Sequence, residues 1–273
     1  SWRFSFIALG VITAVWLVMW VRGFRDDPHE ITDLSAEERD ALPPPDASLS
    51  PKVRQPTPWK ALLKRMGPTM GVYFCYGWTG WLFFTWLPTF FMNGRGMDLK
   101  ASALFTSAVF LSGVVGNTVG GVISDRILKR TGKVVAARRN VIIFSFLSAL
   151  LLLIPVINST DMTTITLCLG LAFFCLELTI GPIWAVPMDI TPKYVGVASG
   201  LVNAGSAVAG IISPILFGVI IDKTGNWSLP FYGSVVLLMV GIVLTFFMRP
   251  DIPLSDDSSS PQVDPSATEK AYH

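Results

Sequence analysis

Charge is scarce in this sequence. Of its 273 residues only 15% are Asp, Glu, Lys or Arg, against about 25% in an average soluble domain. Histidine is scarcer still, with His29 and His273 both outside any long apolar stretch. The three cysteines, Cys75, Cys168 and Cys175, fall inside apolar stretches, which argues against a disulfide framework or a metal site. No Gly-rich phosphate loop or metal-ligand cluster occurs, so no enzyme activity, cofactor or metal is expected. The basic residues border apolar segments instead of forming a nucleic-acid-binding face, so nucleic acid is not an expected partner.

Apolar residues fill the space that charge leaves, at 51% of the chain. A hydrocarbon core needs about 20 apolar residues per helix. Seven segments qualify as candidate spans: 4–21, 67–91, 101–123, 140–157, 163–186, 196–221 and 230–248. None shows the ten-residue alternation of a barrel strand, so the fold class is an all-α membrane protein. The first segment is too long and too uniformly apolar for a signal peptide. It is read as a true span, and the chain as the later part of a longer protein.

The stretch Gly120–Arg139, GGVISDRILKRTGKVVAARR, sets six Lys/Arg against one acid between two spans. Short basic loops stay on the cytoplasmic side. If the first span runs from outside to inside, seventeen Lys/Arg lie inside and four outside, and no span contains one. The expected location is therefore the plasma or inner membrane, with linker and tail cytoplasmic.

Residues 24–66 read as that linker. They are rich in proline and acids and poor in large apolar side chains, a composition that does not fold alone. A short helix is expected at 35–42, where Ser35 and Glu38 have capping-box spacing. Trp59–Met66, WKALLKRM, is basic and amphipathic. It is expected as a short interfacial helix, with plain extension of the next span as the alternative. The tail, 249–273, is polar and expected to be disordered.

The spans differ in polarity. The first, fourth and seventh are plain; the others carry Gly, Asn, Glu, Trp and Tyr. A plain helix every third span suggests three-helix repeats with the richer helices around a cavity. On the sixth span Gly196, Ser199, Gly200, Asn203, Ser206, Ala207 and Gly210 share one small, polar face. Close helix packing accounts for its glycines. Asn203 needs a partner in hydrocarbon, either a substrate or a neighbouring helix. Glu177 is the one acid inside a span, about 15 Å of helix rise from the cytoplasmic end. An intramembrane carboxylate is expensive to bury; it is either a coupling group or a structural hydrogen-bonding one. On the second span Thr69, Tyr73, Tyr76, Gly77 and Gly80 share a face that reads as cavity wall or packing. Asn117 on the third span lines up with Thr106, Gly113, Gly120 and Gly121, and reads as packing.

The segment GGVISDRILKRTGK resembles the signature loop of the major facilitator superfamily, where a Gly-rich helix end runs into Asp-Arg and a basic loop. Trp86-Leu87-Pro88, Trp184–Gly196 (WAVPMDITPKYVG) and Ala198–Gly218 resemble one branch, the anion:cation symporters of sugar acids and other organic carboxylates. The resemblance implies that residues 1–23 are family helix 6 and that 67–248 are helices 7–12, a six-helix carboxy-terminal bundle. It also implies that the amino-terminal half, where the family places its basic carboxylate-binding residue, is missing. Gly121, Asp125, Arg126 and Arg130 would then form a conformational-switch loop. Asp125 is expected to meet the positive amino-terminal end of the sixth span near Val195.

The combined reading is transmembrane transport of a small organic anion, a sugar acid or another carboxylate, by H⁺ (or Na⁺) symport with alternating access. Tyr73, Tyr76, Asn203 and Ser206 are the expected substrate half-site. The alternatives are a facilitator of neutral solutes, with Glu177 structural, and a non-transporting membrane receptor or scaffold. Expected partners are the anion, the coupling ion, the lipid bilayer and the missing half.

Overall fold

The structure is a computed structural model and describes residues 2–25, 28–31, 34–40, 42 and 57–254. All regular elements among them are helices. The chain divides between residues 56 and 57 into two units.

In the first unit α1 (Trp2–Gly23) runs for 22 residues, about 33 Å at 1.5 Å per residue, enough for one crossing. α2 (Ala36–Asp40) is shorter than the expected 35–42 helix. It opens with the capping box read from the sequence. Ser35 N donates to Glu38 Oε2 at 3.0 Å, and Glu38 N donates to Ser35 Oγ at 3.2 Å. These bonds hold the Glu38 carboxyl below its ordinary range. Residues 43–56 of the expected linker lie outside the described residues.

The main helices of the second unit fall on the six later candidate spans. They are α3 (Trp59–Thr89), α4 (Leu99–Thr131), α5 (Val141–Asn158), α6 with α7 (Met162–Glu177 and Ile180–Ile190), α8 (Val195–Thr224) and α9 (Leu229–Thr245). α3 packs along α8 and α9, α4 along α6 and α7, and α5 between α6 and α9. Helix ends follow local chemistry. Asp98 accepts from Ala101 N at 2.7 Å and Asp161 from Thr164 N at 2.8 Å, both N-caps. Gly132 and Gly225, with φ of 63° and 64°, close α4 and α8 in the left-handed conformation that glycine adopts without strain.

Small residues let the helix backbones meet. A Cβ on Gly120 would lie 2.6 Å from Leu178 Cα, and one on Gly181 would lie 2.6 Å from Gly121 Cα. A Cβ on Gly77 would strike Ser206 Oγ at 2.5 Å. Such contacts replace the hydrophobic drive that a bilayer does not supply between helices.

Two expectations change. Trp59–Met66 is not a separate interfacial helix but the first two turns of α3. Leu62 and Met66 are fully buried in the same apolar cluster as Met248 and Leu254, so this face has a protein partner and no need of a lipid one. The beginning of the expected disordered tail is also structured. Arg65 donates to the carbonyls of Arg249 and Ile252, and Leu254 N donates to Ile190 O at 2.9 Å. Residues 255–273 lie outside the described residues.

Candidate functional site

The span expected at 163–186 has a two-residue break in its hydrogen-bond ladder, with Leu178 and Thr179 still in right-handed helical conformation. α6 ends at Glu177 and α7 starts at Ile180. Pro182 has no N–H to give the Leu178 carbonyl, so the helical ladder loses a bond there.

Glu177 sits at that break and is only 7% exposed. Tyr76 O–H donates to its Oε1 at 2.7 Å, and Asn117 Nδ2 lies 3.5 Å from Oε2. Tyr73 and Tyr76, one turn apart on α3, stack with centroids 5.2 Å apart and planes 5° from parallel. Trp184 on α7 donates through Nε1 to the Tyr73 hydroxyl at 3.2 Å and meets that ring edge-on. Three spans thus converge here, the hydrogen-bonded pair Trp184–Tyr73 stacking through Tyr73 on the hydrogen-bonded chain Tyr76–Glu177–Asn117. The sequence placed the tyrosines on one face and singled out the acid. It did not join them, because Tyr76 and Glu177 are 101 residues apart. Asn117, read as packing, reaches the acid, while Gly113, Gly116 and Gly120 on α4 do the packing against α6 and the break.

The α8 face divides. Ser206 is buried against Gly77 in the α3–α8 contact, so its hydroxyl is a packing group and not on the open edge where the sequence reading set it. Gly205 rests on the backbone of Met70, and Gly210 on the Trp81 ring. Gly196 and Gly200 have open space where a Cβ would be, so close packing does not explain them. Asn203 shares their edge; it is exposed and has no hydrogen-bond partner among the described residues. An amide left open at membrane depth requires water, solute or another protein surface to satisfy it.

At the basic end the organising residue is Arg138, which the sequence reading counted only as loop charge. It is 6% exposed. Its Nε donates to Asp189 Oδ2 at 2.8 Å, and its Nη1 to Ser124 Oγ at 2.6 Å and to Asp125 Oδ1 at 3.4 Å. Arg138 therefore ties α4 to the end of α7. Asp125 turns to this arginine and not to Val195, and its side chain stays 69% exposed. Gly121 marks the crossing of α4 and α7. Arg126 and Arg130 are exposed and make no ion pair among the described residues. Among the described residues no group of His, Cys, Asp and Glu could hold a metal.

Among the described residues five helices are long and apolar enough to cross a membrane. This is a multi-pass integral membrane protein, with its polar groups gathered between spans instead of around an enzyme-like pocket. The Major Facilitator Superfamily model matches residues 1–213 and, overlapping it, 137–271. The chain belongs to the Major Facilitator Superfamily, a family of membrane transporters. It is similar to the probable sulfoacetate transporter SauU of Cupriavidus necator, 40% identical over 92% of this chain and 58% of that protein. It is also similar to the hexuronate transporter of Bacillus subtilis, 28% identical over 96% of this chain and 62% of that one. The chain thus spans about three-fifths of the length of these curated relatives. Among solved structures, a bacterial homologue of the human lysosomal transporter Spinster superimposes with a TM-score of 0.58 at 15% identity. That match covers 96% of this chain and 61% of the other, and it speaks to fold alone.

Proposed function

We propose that this chain supplies the carboxy-terminal bundle of a transporter for a small organic anion, a sulfonate or sugar-acid carboxylate. The transporter works by H⁺ symport with alternating access in the plasma or inner membrane. Its linker, tail and basic loop face the cytoplasm. The relatives' names, a probable sulfoacetate transporter and a hexuronate transporter, support the anion class. The observation that carries the reading is Asn203, an exposed amide without a hydrogen-bond partner among the described residues on a small-residue edge of α8, while Tyr73, Tyr76, Glu177 and Asn117 are all hydrogen-bonded. In this reading Asn203 donates to a substrate oxygen. Tyr73 and Tyr76 form an aromatic wall, and Glu177 holds that wall in place through Tyr76.

Losing a buried hydrogen bond costs on the order of 1–3 kcal/mol, about 5–150-fold in affinity. In proteoliposomes of the full-length transporter, Asn203→Ala is expected to raise the KM for sulfoacetate by a factor in that range, with unchanged yield and melting. A normal KM in a well-folded variant refutes the contact.

Glu177→Gln separates structure from coupling. A glutamine keeps an oxygen for the Tyr76 hydroxyl. Uptake driven by a pH gradient is therefore expected to survive in this variant. Loss of gradient-driven accumulation with intact substrate exchange would make Glu177 the coupled group.

A further inference from the structure

The end of the bundle opposite the basic loop carries a cation of a different kind from the rest. Arg95 follows a π-helical turn, Phe90–Gly94, that closes the α3 span. Its guanidinium lies over the Phe90 ring at 5.2 Å. Phe90 is itself 1% exposed, met edge-on by Phe231 at 5.3 Å and at a tilt by Trp227 at 6.4 Å. A Cβ on Gly94 would lie 2.9 Å from the Trp227 ring, so the backbone just before Arg95 fits closely against its support. Gly96, with φ of 70°, then turns the chain toward α4.

Arg95 is therefore placed by the fold, whereas its neighbours Lys100 and Lys223 are exposed. Its charge is nonetheless unanswered. No carboxylate lies within 4.0 Å among the described residues, and its Nε is buried without a hydrogen-bond partner. Asp98, the acid nearest in sequence, spends an oxygen capping α4. Burial pushes the Arg95 guanidinium below its ordinary range, the direction expected when a cation is partly desolvated and no anion compensates. A guanidinium fork presents paired donors that match carboxylate, sulfonate or phosphate oxygens. The aromatic platform holds one side of the fork, and Arg95 as a whole is half-buried.

We propose that Arg95 on its Phe90–Trp227–Phe231 platform is a docking site for small oxyanions on the face opposite the basic loop, where the organic anion is gathered before it enters the transporter. The entry role rests on the proposed anion transport; the docking site itself does not. A fixed positive charge at a mouth raises the local concentration of anions, and salt screens the effect.

Two measurements test it, and they fail separately. The first needs no transport. Asn93 is exposed and two residues from Arg95. In Asn93→Cys, the rates of modification by an anionic ethylsulfonate and a cationic trimethylammonium methanethiosulfonate are compared in phosphatidylcholine vesicles. A unit charge about 8 Å away across water acts in opposite senses on the two reagents and changes the anionic-to-cationic ratio by about fivefold. The ratio is expected to fall by that factor on adding Arg95→Gln and to be largely retained with Arg95→Lys. An unchanged ratio in Arg95→Gln overturns the site. So does a ratio that, in vesicles containing phosphatidylglycerol, is the same with and without Arg95→Gln while the two differ in phosphatidylcholine, because a lipid headgroup then neutralises the arginine.

The second measurement is sulfoacetate uptake by the full-length transporter. Arg95→Gln is expected to raise the KM by about fivefold at low ionic strength, with kcat unchanged, and the gap is expected to close near 0.5 M salt. A gap that ignores salt marks a structural role and overturns the entry step. If the wild-type protein takes up no sulfoacetate, the proposed substrate class fails for that probe. The reagent ratio still decides whether the anion site exists.

Discussion

Arg138→Leu is expected to destabilise the bundle more than any other single change considered, by about 3–5 kcal/mol. The side chain is buried, and its removal strands the Asp189 carboxylate, which is 19% exposed. Ser124 loses its charged partner as well, although its own bond to the Ala137 carbonyl at 2.9 Å survives. For a domain of this size that loss corresponds to a fall of roughly 10 °C in melting temperature, readable by thermal unfolding in detergent. Arg138→Leu combined with Asp189→Leu is expected to melt higher than Arg138→Leu alone. Removing both partners removes the uncompensated charge, while removing one creates it. A single variant that melts like the parent would show that Asp189 is solvated and the network worth little.

Gly120→Val is expected to have the second-largest effect, on packing. The added Cβ would fall 2.6 Å from Leu178 Cα and 2.7 Å from its carbonyl carbon. These are backbone atoms at the helix break, and they cannot rotate away as a side chain does. α4 must then lift from α6 and α7, at about 1–3 kcal/mol for an overpacked contact. Because Glu177 is next to Leu178, the Asn117–Glu177 approach is expected to open together with the packing. Lowered melting with slower transport fits this picture, whereas normal melting would place the valine in open space. Gly200→Val is the matched control, since nothing lies within 4 Å of a Cβ there.

Most of the architecture was legible because hydropathy is local. The spans now seen as α4, α5 and α8 are long, apolar and bounded by charge or glycine. α3 is the instructive case. It is not among the helices that pass on hydropathy, because Gly, Tyr, Thr and Trp contribute little to such a scale. Yet it is the helix against which α8 and α9 pack. Recognising it took its length and context. The α6–α7 break coincides with Gly181-Pro182, but a proline inside a membrane helix often only kinks it, so the sequence alone does not set this run apart from a continuous span.

The site was legible only in parts. Glu177 stands out as the lone acid in a span, and the tyrosine spacing is visible by eye. Which residue answers which acid is a tertiary fact. Arg138 and Asp189 lie 51 residues apart, and each looks like ordinary juxtamembrane charge. Ser206 misled for a related reason. Periodicity assigns a face, but the close approach at Gly77 decides which half of that face is covered.

The contacts of Arg65 and Leu254 have a practical corollary for protein engineering. The bundle's first two turns and its last described residues are stitched to each other, so its two termini emerge side by side. A deletion that ends the chain at Thr245, where the last helix stops, would unpick this seam. Fusion tags belong after Leu254. The same adjacency makes the bundle suited to circular permutation, with a short linker from 254 back to 57 and fresh ends cut in the loop at Asn226.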